Sequence, residues 1–534
     1  MAAHDLGTEH RTHSHSPLAA LHREPRLLTP LPPSQRIVIA SNRLPITLNR
    51  SERGRWEAKP AAGGLVAALR PILRKRGGLW VGWSGAATVE DAEIADIFKH
   101  LAARDNLRMR AVSLSHEEID GFYQGFSNGI IWPLFHDILK NCNFNPTYWP
   151  IYCRVNRKFA EVLARETTPN DFLWVHDYHL MLLGQELSRL QLPNRRGFFL
   201  HIPFPSLDFF RKLPWRRQII DGLLDFDLIA FQTDRDRHNF LQCAEALAER
   251  FTVATDGPQV THVRFLKRTA AGANAWRTIQ IATLPISIDY SKMAADAASA
   301  RVQHRMTQLR ADLQERQMIL GVDRLDYTKG ILHRLRALRL TLERHPELRG
   351  KIILVQHLVP SRESIGDYAQ LRRDVEQLVS EINGQFRTPD WVPVQYLYHS
   401  LSREDLLAYY RTANIALITP LKDGMNLVAK EYCAAQIDED GVLILSELAG
   451  AAAELQVGAL LVNPHDIECT AERIYQALVM PRDERLERMQ RLRRTIRNHD
   501  VFQWAEAFLT AAAAPQAPVS KGAQMDSTQV TTAL

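Results

Sequence analysis

The decapeptide DGMNLVAKEY at 423–432 sets a carboxylate, Asp423, directly before a glycine, and a second carboxylate, Glu431, eight residues later. It follows an apolar run, NIALITPL at 414–421. A strand that ends on an acid, turns through Gly424 and enters a helix makes a place for a ligand. The first N–H groups of a helix are unpaired and its dipole is positive there, so an anion such as phosphate is favoured. Other strand-like runs end on comparable groups. RIVIA at 36–40 leads to Arg43, DFLWV at 171–175 to His176 and Asp177, GFFL at 197–200 to His201, ILGV at 319–322 to Arg324 and Lys329, and KIILVQ at 351–356 to Arg362. The cations Arg43, Arg324, Lys329 and Arg362 suit phosphate, Arg through its planar fork and Lys as a point charge. Asp177, Asp423 and Glu431 are acceptors suited to hydroxyls. The Gly63–Gly64 pair in AAGGLVAAL precedes a helical stretch, where backbone can approach a phosphate closely. Taken singly, each has a plain structural explanation: His201 as a satisfied core histidine, Asp177 as a helix cap, Arg362 as a partner of Glu363 or Asp367. Six strands ending in such groups are harder to dismiss, because in open α/β sheets the carboxyl ends share a cleft.

The elements that would carry these groups are short, continuously apolar runs. Further ones lie at 227–232, 279–283, 393–398, 441–445 and 459–463, with helical patterns between, for instance at 331–345 and 403–411. Strands apolar on both faces belong to parallel sheets covered by helices. There are too many for one ordinary sheet. The expected fold is therefore α/β, with two doubly wound, Rossmann-like domains joined near LPISIDY at 284–290; a single larger sheet or a barrel is the alternative. The boundaries expected are a tail over 1–34, a first domain over 35–286, a second over 287–498, a terminal helix over 499–513 and a tail over 514–534. The terminal helix, with Phe502, Trp504 and Phe508, is expected to pack on the main body, where a crossing between the domains is open.

In order along 36–510, SNRLP, AGGL, GLWVGWSG, FYQGFSNGIIWPLFH, WVHDYHL, FFLHIPFPS, DRLDYTKG, PSR and DGMNLVAKEY resemble the trehalose-6-phosphate synthase family. The resemblance implies a two-domain GT-B glycosyltransferase with its site in the cleft, moving glucose from UDP-glucose to glucose 6-phosphate with retention of configuration. It implies that Arg43, Tyr123, Asp177 and Arg362 hold the acceptor, and that Trp132 and Ile202 select its anomer. His201 and Asp423 would form the catalytic centre. Gly63, Gly64, Arg324, Lys329, Leu401, Asp423, Gly424, Met425, Asn426, Leu427, Val428, Ala429, Lys430 and Glu431 would hold the donor. Asp423 would take hydroxyls of the transferred glucose and Glu431 those of the ribose. The chain departs from the family pattern at Leu448 and Ala453, and over 251–278. A transferase with another acceptor or nucleotide, and a catalytically silent sugar-phosphate sensor, are the competing expectations. Retention of both sets of charged positions speaks against the sensor.

Composition excludes other classes. The net charge of +6 on 534 residues is too small to argue for nucleic acid. The basic stretch RLERMQRLRRTIRN at 485–498 has Leu486, Met489, Leu492 and Ile496 at helical spacing, so it reads as an amphipathic helix. No membrane span is expected. Five cysteines without a Cys-x-x-Cys pair suit a reduced, cytoplasmic compartment. There is no Gly-x-Gly-x-x-Gly after the first strand and no Walker A sequence. Asp225 and Asp227 in DFDLI resemble a metal-binding Asp-x-Asp, but they precede an apolar run rather than follow one, so a helix-to-strand linker is expected and no metal or other cofactor. Small-molecule substrates are the expected partners, with a homo-oligomer possible.

Overall fold

In the computed structural model, residues 35–52, 55–60, 64–105, 107–257, 259–268, 274–361 and 366–514 are described. Gly63, Arg362 and both expected tails (apart from Ala514) lie outside them. The first strands are β1 (Ile37–Arg43), β2 (Ile46–Arg50), β3 (Trp56–Pro60), β4 (Leu79–Trp83), β5 (Arg108–Ala111), β6 (Phe172–His176), β7 (Arg196–Phe199), β8 (Leu228–Phe231), β9 (Thr252–Asp256), β10 (Val260–Arg268) and β11 (Asn274–Thr283). All but the β2–β3 hairpin form one sheet, ordered β5-β4-β1-β6-β7-β8-β11-β10-β9. The second sheet takes β12 (Gln317–Arg324), β13 (Ile352–Val359), β14 (Val394–Tyr398), β15 (Ile415–Ile418), β16 (Val442–Ser446) and β17 (Leu460–Val462), ordered β14-β13-β12-β15-β16-β17. The α/β expectation holds.

The second sheet is parallel throughout, and the first is parallel from β5 to β11. Both follow the same doubly wound order: the chain starts in the middle, moves outward on one side, then returns and moves outward on the other. Strands with helices on both sides are buried through their length, as in β6 and β16, where every residue is inaccessible. The pairs β1/β6 and β12/β15 are where the order reverses, and loops leaving these strands part to opposite faces and leave a crevice.

Not every strand was visible in the apolar runs. β10 pairs antiparallel with β11, and β9 with β10, at the sheet edge. They occupy the stretch, 251–278, that departs from the family pattern, and one face of an edge hairpin meets water, so its sequence alternates instead of running apolar. Asp225 and Asp227 lie between the helix Arg216–Leu223 and β8, at that strand's amino end. Asp225 pairs with Lys267 and Arg277, and Asp227 with Arg277 at 3.0 Å, so both are structural.

The helix Arg482–Asn498 buries Met489, Leu492 and Ile496, and its Arg493 donates to the carbonyls of Cys433 and Ala434 at 3.0 and 2.8 Å. The chain then turns, and the helix Val501–Ala513 lies on the first sheet instead. Phe508 stacks on Trp174 with ring centroids 4.4 Å apart, and Trp504 meets Phe199 edge-on at 5.2 Å. Arg195 ties down its end through the carbonyls of Ala513 and Ala514.

Candidate functional site

The residues singled out in the sequence stand at the two reversal points. Arg43 closes β1 and Asp177 follows β6; Arg324 closes β12 and Asp423 follows β15 by a short loop. On the first sheet, the Arg43 guanidinium lies over the Trp83 ring at 4.0 Å and over Tyr123 at 5.6 Å. Tyr123 in turn stacks on His179 with centroids 5.9 Å apart. A cation held against aromatic rings keeps N–H groups available for an anion. Tyr123 sits in a π-helical stretch, Ile119–Ile131, after which the Trp132 N–H donates to the Ser127 carbonyl five residues back. Such wide turns displace side chains from ordinary helical positions, and here they deliver Tyr123 and Trp132 to the cleft.

Trp132 is buried, packs on His136 with centroids 4.3 Å apart, and has the Arg324 guanidinium 5.7 Å above its ring, so it is a contact between the two halves. Ile202 is buried nearby in sequence to His201, which is half-buried. Asp177 has a φ of 76°, a conformation rare for a residue with a side chain, and its Oδ1 accepts from the His201 N–H at 3.2 Å. Strain at this point aims a carboxylate along the end of β7. His201 Nε2 is 3.0 Å from His176 Nδ1. Burial pushes His201 down to about 3 and His176 well below its ordinary value, so both rings are neutral near pH 7.

On the second sheet, Lys329 Nζ lies 2.6 Å from Asp423 Oδ2, and Asn426 donates to the same oxygen at 3.1 Å. Burial alone would raise the Asp423 carboxyl; Lys329 chiefly, aided by His136 and Asn426, more than offsets it and holds the group below the usual carboxylate range. Asn426, at φ 73°, caps the helix Leu427–Ala435 by accepting from the Ala429 N–H. The helix therefore begins with Asp423, Gly424 and Met425 laid across its positive end, as DGMNLVAKEY suggested. Glu431 accepts from the Tyr410 hydroxyl at 3.1 Å, and burial raises its carboxyl with only partial relief from Tyr410 and Arg403. Lys430 behaves differently: its ammonium is buried against Glu454 at 2.6 Å and the Ile286 carbonyl at 3.0 Å, so its side chain braces the helix. Arg324 is exposed. Leu401 is half-buried in the loop after β14, and Met425, Leu427, Val428 and Ala429 pack into the core beneath the helix start.

Beneath the site, Arg334 bridges Asp323 at 2.7 Å, Gln356 at 3.1 Å and Thr419 at 3.2 Å. This buried brace ties β12, β13 and the end of β15 together, fixing the strand ends that carry Arg324 and Asp423.

The halves meet at these same loops. A side chain at Gly424 would collide with the His201 carbonyl, so only glycine lets the two backbones touch. A side chain at Gly64 would come within 2.8 Å of Leu427, which brings the starts of two helices together from opposite halves. Lys422 Nζ pairs with Asp137 Oδ2 at 2.6 Å, and Asn141 donates to Asp367 at 2.6 Å. Lys422, Asp137, His136, Trp83 and Asn426 as a cap were not found by sequence reasoning, and His176 was found only as a strand-end group, without its partner. Lys422 carried a signal, a cation directly before Asp423, but its partner is 285 residues away. Among the described residues, no cluster of three or more His, Cys, Asp or Glu has the arrangement of a metal site, and no helix is long and apolar enough to cross a membrane.

Residues 35–514 match glycosyltransferase family 20. The chain is 41% identical over 494 residues to trehalose-6-phosphate synthase of Mycolicibacterium smegmatis, covering 92% of this chain and 95% of that protein. Among solved structures it is similar to a UDP-forming alpha,alpha-trehalose-phosphate synthase from Burkholderia xenovorans in complex with glucose-6-phosphate, with a TM-score of 0.79 and 33% identity over 90% of this chain and 100% of that one. A structure from E. coli bound with UDP-2-fluoro glucose is similar at a TM-score of 0.78 and 34% identity, over 90% and 99% of the two chains.

Proposed function

The chain belongs to glycosyltransferase family 20, and from that membership we infer that it is an α,α-trehalose-6-phosphate synthase, transferring glucose from UDP-glucose to glucose 6-phosphate with retention of anomeric configuration. The observation that carries the reading is the meeting of the two reversal points. The Asp423–Gly424 loop lies against His201, whose backbone N–H is held by Asp177, while Lys329 pairs with Asp423 and Arg324 lies over Trp132 of the other half.

In this reading residues 35–286 bind the acceptor and 287–498 the donor, with the terminal helix joining them. Arg43, together with Arg362, takes the acceptor phosphate, Tyr123 and Asp177 its sugar, and Trp132 and Ile202 shape the pocket that selects the anomer. Gly63 and Gly64 approach the donor from the first domain. Asp423, kept ionised by Lys329, accepts hydroxyls of the transferred glucose. One of the three ammonium hydrogens of Lys329 is engaged with Asp423, and the others are available to the pyrophosphate with Arg324. The amides after Gly424 add the positive end of a helix. Glu431 holds the ribose and Leu401 lies by the base. The leaving diphosphate is thus stabilised by fixed protein charge, without a metal ion. The acceptor hydroxyl attacks from the face the diphosphate leaves and passes its proton to the leaving phosphate oxygen. The reaction is cytoplasmic and involves neither nucleic acid nor membrane.

The test measures nucleotide release from a panel of nucleotide-glucose donors, with and without each of several sugar phosphates and glycerol 3-phosphate. Release that requires glucose 6-phosphate and is fastest with UDP-glucose, yielding an α,α-linked product, is expected. Release driven by another acceptor, or none with any pair, overturns the reading.

A further inference from the structure

The histidine pair at the ends of β6 and β7 has a consequence for the reacting centre. His176 is fully buried, and its Nδ1 is 3.0 Å from His201 Nε2. One ring must donate and the other accept. If His201 donated, the proton of His176 would sit on Nε2, which is buried without a hydrogen-bond partner. A buried N–H with no acceptor is among the rarest arrangements in proteins, whereas a bare lone pair is tolerated better. The surroundings sharpen the choice. The indole N–H groups of Trp174 and Trp504 are also buried without acceptors. Their rings pack together at 5.2 Å, with Trp174 5.0 Å from His176. This packet has donors to spare and no need of another.

We propose that His176 is a positioning residue: its Nδ1–H donates to His201 Nε2 and fixes His201 as the Nδ1–H tautomer, so that His201 meets substrate as a neutral hydrogen-bond donor and not as a base. The full burial of His176 and the partial burial of His201, which disfavour the charged forms, agree with this. The backbone of His201 is held as well, its N–H by Asp177 and its carbonyl against Gly424, so the ring has little freedom to turn away from the pairing. A neutral donor suits an oxygen of the sugar or of the leaving group, and it leaves proton removal to the departing phosphate.

The proposal rests on the transferase reading, but its first test does not. In protein labelled with 15N-histidine, two-bond 1H–15N correlation reads each tautomer without substrate. His201, assigned by loss of its signals in His201→Gln, is expected to show a protonated Nδ1 and a bare Nε2. The opposite pattern overturns the proposal whatever the enzyme does. The second test is kinetic. His176→Phe, lacking the donor, is expected to lose kcat roughly tenfold, about what one hydrogen bond realised in the transition state is worth, with acceptor KM little changed. His176→Asn, which can place an N–H near the position of Nδ1, is expected to recover most of it. Equal losses in both variants, or none in His176→Phe, overturn the positioning role. Absence of any glucosyl transfer by the wild-type protein instead overturns the transferase reading and leaves the tautomer result standing.

Discussion

Lys329→Met keeps the length and apolar stem of the side chain and removes its charge. Lys329 Nζ is 2.6 Å from Asp423 Oδ2, and the two side chains are only 13% and 14% exposed. At that distance the gross attraction in an effective dielectric of about 20 is roughly 6 kcal/mol. Desolvation of both ions takes back much of it, and removing one partner costs about 3 kcal/mol because the other charge stays buried and uncompensated. Two results follow. First, kcat falls on the order of a hundredfold, since a fixed cation at the developing diphosphate charge is worth about 3 kcal/mol. Second, the titration of Asp423 changes sign. In the wild-type protein burial raises this carboxyl, but Lys329 and its neighbours more than offset burial and depress it. The ionised form therefore persists as pH falls and is lost only on passing below the usual carboxylate range. Without Lys329 burial dominates, and the ionised form is lost at a higher pH. The acid limb of kcat/KM, followed by UDP release from about pH 5 to 8, should move upward in the variant. A profile scaled down with an unchanged shape would refute the electrostatic argument. Adding Asp423→Asn gives the cycle: if the pair acts as a unit, the double variant is no slower than the slower single one, whereas multiplying losses would show independent roles.

Arg324→Ala should lower kcat by roughly a hundredfold, while exhaustive chelation leaves the wild-type rate unchanged; activity lost to chelator and restored by Mg²⁺ or Mn²⁺ would contradict fixed-charge stabilisation. Glu431→Ala should weaken donor binding in calorimetry by about 1.5–3 kcal/mol, as for lost charge-assisted hydrogen bonds. Wild-type donor affinity would reduce Glu431 to a partner of Tyr410. Phe508→Ala removes a ring fully buried against Trp174 and should cost about 3–5 kcal/mol in denaturant unfolding. A chain ended at 499 that remains stable and active would contradict the role given to the terminal helix.

Much of this protein was determined by its sequence read locally. Continuous apolar runs mark parallel strands because both faces of such strands are covered, and β6, β12, β13, β15 and β16 fall where those runs do. The helix that follows the turn at Gly424 and the amphipathic helix 482–498 are likewise local, set by the glycine turn and by period. The antiparallel strands β9 and β10 escape this logic, since a half-solvated strand has no apolar run to find. Which charges meet is a different kind of question. Lys329 and Asp423 are 94 residues apart and meet because β12 and β15 are neighbours in the second sheet, whereas Lys422 and Asp137, 285 apart, are paired only by the two sheets closing on one cleft. Lys430, one residue before Glu431, turns the other way onto Glu454, because successive helical positions point some 100° apart. His176 ends β6 and His201 lies two residues past the end of β7; the parallel register sets His176 beside Phe199 and so brings two rings with no sequence relation within hydrogen-bond reach. Spacing assigns a residue to a face or a strand end, whereas its partner, its burial and hence its proton affinity are properties of the packed whole.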